Sequence, residues 1–142
     1  GDDKLTVPAK DVSMAGVILR TSKLAPGNGA GYYCAVDIKN ERVVIGETSG
    51  ADLKNGILKL HTDPTNLSDP PGLKISKGVQ LNQPYIIKFQ LDATSLVCQV
   101  VLPDQITSVE TTLKDSSLAS GGMALFTAGA SAQFDSVKIC TP

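Results

Sequence analysis

Residues 120–139 read SGGMALFTAGASAQFDSVKI, and the glycines flanking MALFTA admit two readings. A phosphate-binding loop needs a helix behind its glycines, so that backbone N–H groups and the helix dipole converge on the anion. Here Gly121 and Gly122 lead into strand-like residues, and GAS turns the chain again into AQFDSVKI. The segment therefore reads as two strands joined by tight turns, with glycines serving backbone geometry.

The same grammar extends outward over the whole chain. AGVILRTS, GYYCAVDI, RVVIGET, YIIKFQL, SLVCQVVL and ITSVETTL are short, rich in β-branched residues and patterned with a period of two. PGNG, KNER, SGAD, DPPG, NQP and DATS punctuate them with turn chemistry. No window carries a helical stripe of helix length. Such a chain predicts an all-β antiparallel sandwich or barrel, in a single domain spanning residues 1–142.

Two pairings follow from the punctuation. GYYCAVDI and RVVIGET flank a tight connection at Lys39–Asn40 and should form a hairpin. In that register Cys34, Val36, Val43 and Ile45 share one face, while Tyr33, Asp37, Arg42 and Val44 share the other. Asp37 and Arg42 then lie across from one another, a pairing worth a few tenths of a kcal/mol in water. A second hairpin joins YIIKFQL to SLVCQVVL through DATS. The one long irregular segment, His61 to Lys74, carries three prolines and reads as a surface loop.

Composition limits the function classes. The 142 residues include 42% hydrophobic and 19% charged side chains with a net charge of −1, which is globular composition. The 13 Lys and Arg residues are scattered without a basic stripe, which argues against a nucleic-acid partner. No apolar run is long enough for a membrane span. The opening GDDKL has the look of a trimmed mature start, so the compartment is not read directly from it.

The three cysteines, Cys34, Cys98 and Cys140, lie far apart and form no CxxC pair. Cys34 and Cys98 fall in phase with apolar neighbours, so buried thiols are expected there. A single disulfide, including one to Cys140, stays open because spacing does not choose among the pairs. No second Cys or His sits at zinc-ligand spacing.

Catalytic patterns are sparse. Glu41, Glu47 and Glu110 are the three glutamates, and none lies in an alternating acidic run on one strand. Most aspartates, such as Asp52, Asp63, Asp69, Asp92 and Asp104, occupy turn positions, where Asp closes turns with its own backbone. His61 is the one histidine, without a GxSxG elbow to accompany it. Catalysis is therefore not expected. Sugar recognition commonly uses exposed aromatic rings, and the chain has no Trp, three Tyr and three Phe. Phe89, Phe126 and Phe134 read as core, whereas Tyr33 is a candidate for an exposed ring, with Tyr32 on the opposite face.

The order of AGVILRTSKLAPGNGAGYYCAVDIKNERVVIGE, GVQLNQPYIIKFQLDATSLVCQVV and LKDSSLASGGMALFTAGASAQFDSVKI resembles the concanavalin A-like lectin/glucanase jelly-roll domains that accompany bacterial secreted glycoside hydrolases. The resemblance covers roughly Ala15 to Ile139 and is most specific over Asp115 to Ile139. Gln83 and Pro84 stand where the family usually has a tryptophan ahead of the strand that begins here at Tyr85, and the acidic strand of the family's glucanases is absent. The resemblance implies an antiparallel jelly-roll β-sandwich. It further implies a non-catalytic, lectin-like module of a secreted or cell-surface bacterial protein, part of a larger chain, with an oligo- or polysaccharide as partner. The rivals are a reduced glycoside hydrolase-like enzyme and a structural or protein-interaction domain. By the resemblance, the ligand-binding candidates are Arg20, ending GVILR, Tyr33 and Asp37 on the next strand, and Glu47. No cofactor is expected. Asp135 sits where some jelly rolls of this kind hold a structural Ca²⁺, and one carboxylate alone does not assign such a site.

Overall fold

The computed structural model describes residues 4–8, 10, 12–20, 30–61, 72–92, 95–113 and 123–134. Among these residues, ten strands and one short helix follow in chain order: β1 (Lys4–Pro8), β2 (Met14–Arg20), β3 (Ala30–Asp37), β4 (Arg42–Ser49), α1 (Gly50–Lys54), β5 (Ile57–His61), β6 (Leu73–Lys74), β7 (Ile86–Asp92), β8 (Ser95–Val101), β9 (Ser108–Leu113) and β10 (Met123–Ala128). The chain is all-β with antiparallel sheets, as its patterning predicts. A seven-stranded sheet runs β1-β5-β4-β3-β2-β10, with β6 also on β4, and a three-stranded sheet runs β7-β8-β9.

Both predicted hairpins are present. In the first, Asp37 pairs with Arg42, Val36 with Val43 and Cys34 with Ile45. Asp37 builds the intervening turn itself: its carboxylate accepts hydrogen bonds from the Asn40 amide side chain (2.8 Å) and the Asn40 backbone N–H (3.3 Å). Glu41 closes the turn in the left-handed region at φ 55°. In the second hairpin, Asp92 pairs with Ser95 and Phe89 with Cys98. The next turn, into β9, is organised by Asp104. Its carboxylate accepts from the backbone N–H groups of Ile106 (2.9 Å) and Thr107 (2.8 Å), the Thr107 hydroxyl (2.6 Å) and the Lys77 ammonium (2.9 Å). These bonds, that from the Thr107 hydroxyl first, hold the Asp104 carboxyl below its ordinary range.

Two apolar clusters lie on opposite faces of the large sheet. The first fills the space between the sheets with Tyr32, Cys34, Val36, Val43 and Ile45 from β3 and β4. Leu96, Cys98 and Val100 from β8 meet them, with Ile75 and Leu102 from the connections. Cys34 and Cys98 are joined by a disulfide across this core, with Cα atoms 5.4 Å apart. This corrects the expectation of two buried thiols. The alternation placed both residues inside, but the meeting of β3 with β8 is tertiary and has no local signal.

The second cluster joins Val12, Met14 and Ile18 to Tyr33, Ala35, Val44, Leu58 and Leu60, with Ala124, Phe126 and Ala128 packed against them. Strands β5 and β10 are separated in the sheet order by β4, β3 and β2. In a flat sheet that spacing would hold them roughly 19 Å apart, yet Leu58 and Phe126 line one cavity. The sheet therefore curls around this face. Gly16 permits the curl, since a side chain there would run into the Cys34 carbonyl and Ala35 on the neighbouring strand.

Candidate functional site

Tyr33 lies at the centre of the curled face, with no solvent exposure. Its ring meets Phe126 edge-on, at 5.5 Å between centroids and 67° between planes. Its hydroxyl donates to the Lys59 carbonyl of β5 at 2.9 Å. The ring reaches β5 by lying over Gly46, where a Cβ would collide with the Tyr33 ring, its hydroxyl and the Lys59 carbonyl. Burial, followed by the negative charges of Glu47 and Asp52, pushes the phenol well above its ordinary pKa. The expectation of an exposed aromatic ring is thus corrected: Tyr33 is a core residue and presents no face to a ligand. The local signal was the doubly apolar run Tyr32–Val36 opposite Val43–Ile45, which marks strands covered on both faces.

The other candidates divide. Asp37 is 1% exposed, and its carboxylate is committed to the turn at Asn40, which explains how a carboxylate sits at that depth. Glu47 is half-buried and pairs with Tyr32 on one side and Lys59 on the other. By strand alternation it belongs to the opposite face from Tyr33. Arg20 ends β2 in register with Gly31, and its side chain lies outside the described residues. Lys59 also makes an ion pair with Asp52 at 3.5 Å. Tyr33, Asp37 and Glu47 therefore do not converge on one groove. The side chain of His61, and Asp135 with its calcium question, lie outside the described residues as well. Phe134, expected in the core, is 37% exposed.

Two features emerge that the sequence reading did not single out. One is a backbone row at the end of the large sheet: Arg20 pairs with Gly31, and Gly31 with Thr48. Thr48 is 4% exposed, and its hydroxyl is a buried polar atom without a hydrogen-bond partner among the described residues. Leaving a buried hydroxyl unsatisfied costs about 1–3 kcal/mol. Gly31, between Arg20 and Thr48, contributes no side chain to the row. Nothing local marks Thr48 in GETSG, because the row exists only once β2, β3 and β4 are aligned.

The other feature is a half-open cavity of about 410 Å³ lined by Lys10, Ile18, Gly56, Ile57, Leu58, Phe126, Thr127, Ala128 and Gly129. A smaller depression of about 160 Å³ lies beside the Asp104 turn and Tyr85; there the Tyr85 hydroxyl already accepts from the Gln80 N–H at 2.8 Å. Among the described residues no group of three or more His, Cys, Asp or Glu side chains is placed to hold a metal ion. No helix among them is long and apolar enough to cross a membrane. No family model, curated protein or solved structure matches the chain.

Proposed function

We propose that this chain is a non-catalytic carbohydrate-binding module of a secreted bacterial protein, its two sheets arranged as a concanavalin A-like jelly-roll sandwich. The observation that carries the reading is the unpartnered Thr48 hydroxyl in register with Gly31 and Arg20. A sugar offers hydroxyl groups that both donate and accept, and so matches a buried threonine hydroxyl that lacks a partner. The Arg20 guanidinium would supply a planar fork for vicinal hydroxyls. The disulfide between the sheets fits an oxidising, extracytoplasmic compartment. With Tyr33 and Asp37 withdrawn into the fold, recognition in this reading rests on hydrogen bonding at the Arg20–Thr48 row and not on stacking.

A sugar-panel thermal-shift screen, followed by titration of any hit, tests the proposal. The expected result is a saturable shift with at least one saccharide, abolished by Arg20→Ala and by Thr48→Val. Thr48→Val keeps the shape of the side chain and removes the hydroxyl, so its own stability should stay level or rise slightly. A panel in which no saccharide raises the melting temperature defeats the carbohydrate reading. Full binding by both variants leaves it standing but moves the site elsewhere.

A further inference from the structure

The cavity on the curled face is chemically unlike the Arg20–Thr48 row. Its walls are formed by the apolar residues Ile18, Ile57, Leu58, Phe126 and Ala128, the first two from opposite halves of the sheet. Its volume of about 410 Å³ falls within the roughly 300–1,000 Å³ of small-molecule sites. Among the described lining residues one side chain carries a charge, Lys10. It is exposed, and no ion pair or hydrogen bond engages it among the described residues.

From this pairing of an apolar chamber with a single cation we infer that the cavity binds an amphipathic monocarboxylate, its hydrocarbon tail among Ile18, Leu58 and Phe126 and its carboxylate at the Lys10 ammonium. A saccharide is a poor fit, since its hydroxyl groups would be stripped of water against aliphatic walls without replacement hydrogen bonds. A neutral hydrocarbon would fill the chamber and leave the cation unused. A monocarboxylate satisfies both ends: the tail releases apolar surface from water, and the head meets an opposite charge at the solvent boundary, where Lys10 keeps most of its hydration. The inference does not depend on the carbohydrate reading, because Thr48 is not among the described residues lining the cavity.

Sodium octanoate is the probe, with 1-octanol as its neutral counterpart. Each is titrated into the intact chain, followed by methyl NMR of Ile18, Ile57 and Leu58 and by calorimetry. Octanoate should shift these methyl resonances saturably. Lys10→Gln, a surface change that leaves the fold intact, should weaken octanoate about fivefold, the upper end of what a surface ion pair supplies, while leaving octanol unaffected. Octanoate affinity that is the same in wild type and Lys10→Gln overturns the assignment of the head group. Absence of a saturable shift at the three residues overturns the site itself. A sugar-panel failure bears on neither outcome.

Discussion

The two faces of the large sheet are both apolar, yet they are closed by different means. The inter-sheet face is covered by β7, β8 and β9 and tied by the Cys34–Cys98 disulfide. The curled face has no covalent tie among its described residues. It closes on the Tyr33–Phe126 ring pair, on the reach of the Tyr33 hydroxyl to β5, and on glycines that let backbones approach. The first face is filled, with Cys34, Val43, Ile75, Leu96, Cys98 and Val100 all fully buried. The second leaves a cavity and, at the strand ends, a threonine hydroxyl without a partner among the described residues. Two sheets brought face to face can interdigitate. One sheet bent upon itself must accommodate its own curvature, and the gaps collect on the concave side.

The largest expected effect lies in the stapled face. The disulfide spans 64 residues of sequence, so the loop it closes in the unfolded chain corresponds to about 4 kcal/mol in the chain-entropy account. The double replacement Cys34→Ala with Cys98→Ala should lower stability by that order in urea unfolding. A loss below about 1 kcal/mol would mean that apolar packing alone holds the sheets together.

The next effect is on the curled face. Gly46→Ala forces a methyl against the Tyr33 ring and the Lys59 carbonyl, and should cost about 3 kcal/mol, at the upper end for overpacking a filled site. If the variant melts with the wild type, the ring moves freely and the face is not closed by Tyr33.

A smaller effect follows from the phenol itself. Tyr33→Phe deletes the bond to the Lys59 carbonyl and should cost about 1 kcal/mol at neutral pH. Because burial raises the Tyr33 pKa in the folded state, the neutral phenol's contribution is complete below the unfolded value of about 10 and is lost as pH rises above it. Wild-type stability should therefore fall more steeply above that pH than that of Tyr33→Phe. Parallel alkaline limbs would remove Tyr33 as their source.

The smallest effect belongs to the exposed turn of the three-stranded sheet. Asp104 has a depressed pKa, chiefly from the Thr107 hydroxyl, so its contribution is present above the ordinary carboxylate range and is lost as pH falls below that range toward the depressed value. Asp104→Asn should flatten the acid limb slightly, and less so in high salt. A large change at neutral pH would show that the turn holds more of the fold than its exposure suggests.

How far the residues announced these features follows from how local each one is. The β3–β4 hairpin was legible because alternation and KN turn chemistry act over neighbouring residues, and its register placed Cys34, Val36, Val43 and Ile45 together correctly. The assignment of Tyr33 to solvent failed because period two says which residues share a face, not whether that face is covered. Asp37 misled for another reason: a carboxylate beside a strand end looks the same whether it awaits a ligand or caps its own turn, and here Asn40 takes it. The disulfide, the Arg20–Gly31–Thr48 row and the Lys10 cavity join segments far apart in sequence. They depend on strand order and sheet curvature, which no short window encodes. Phe134 was given to the core on its apolar neighbours, but it lies past the end of β10, in a described stretch that forms no strand.

Both sulfurs of the disulfide are sealed from solvent, so a reductant in solution meets the bond only after the sheets have parted. At reductant concentrations where reduction outruns reclosing, the time the bond survives in dithiothreitol is then a clock for the opening of the molecule. For a protein exposed to proteases, that staple would endure as long as the core stays shut, and would become accessible to thiols in the same event that exposes the chain to cleavage.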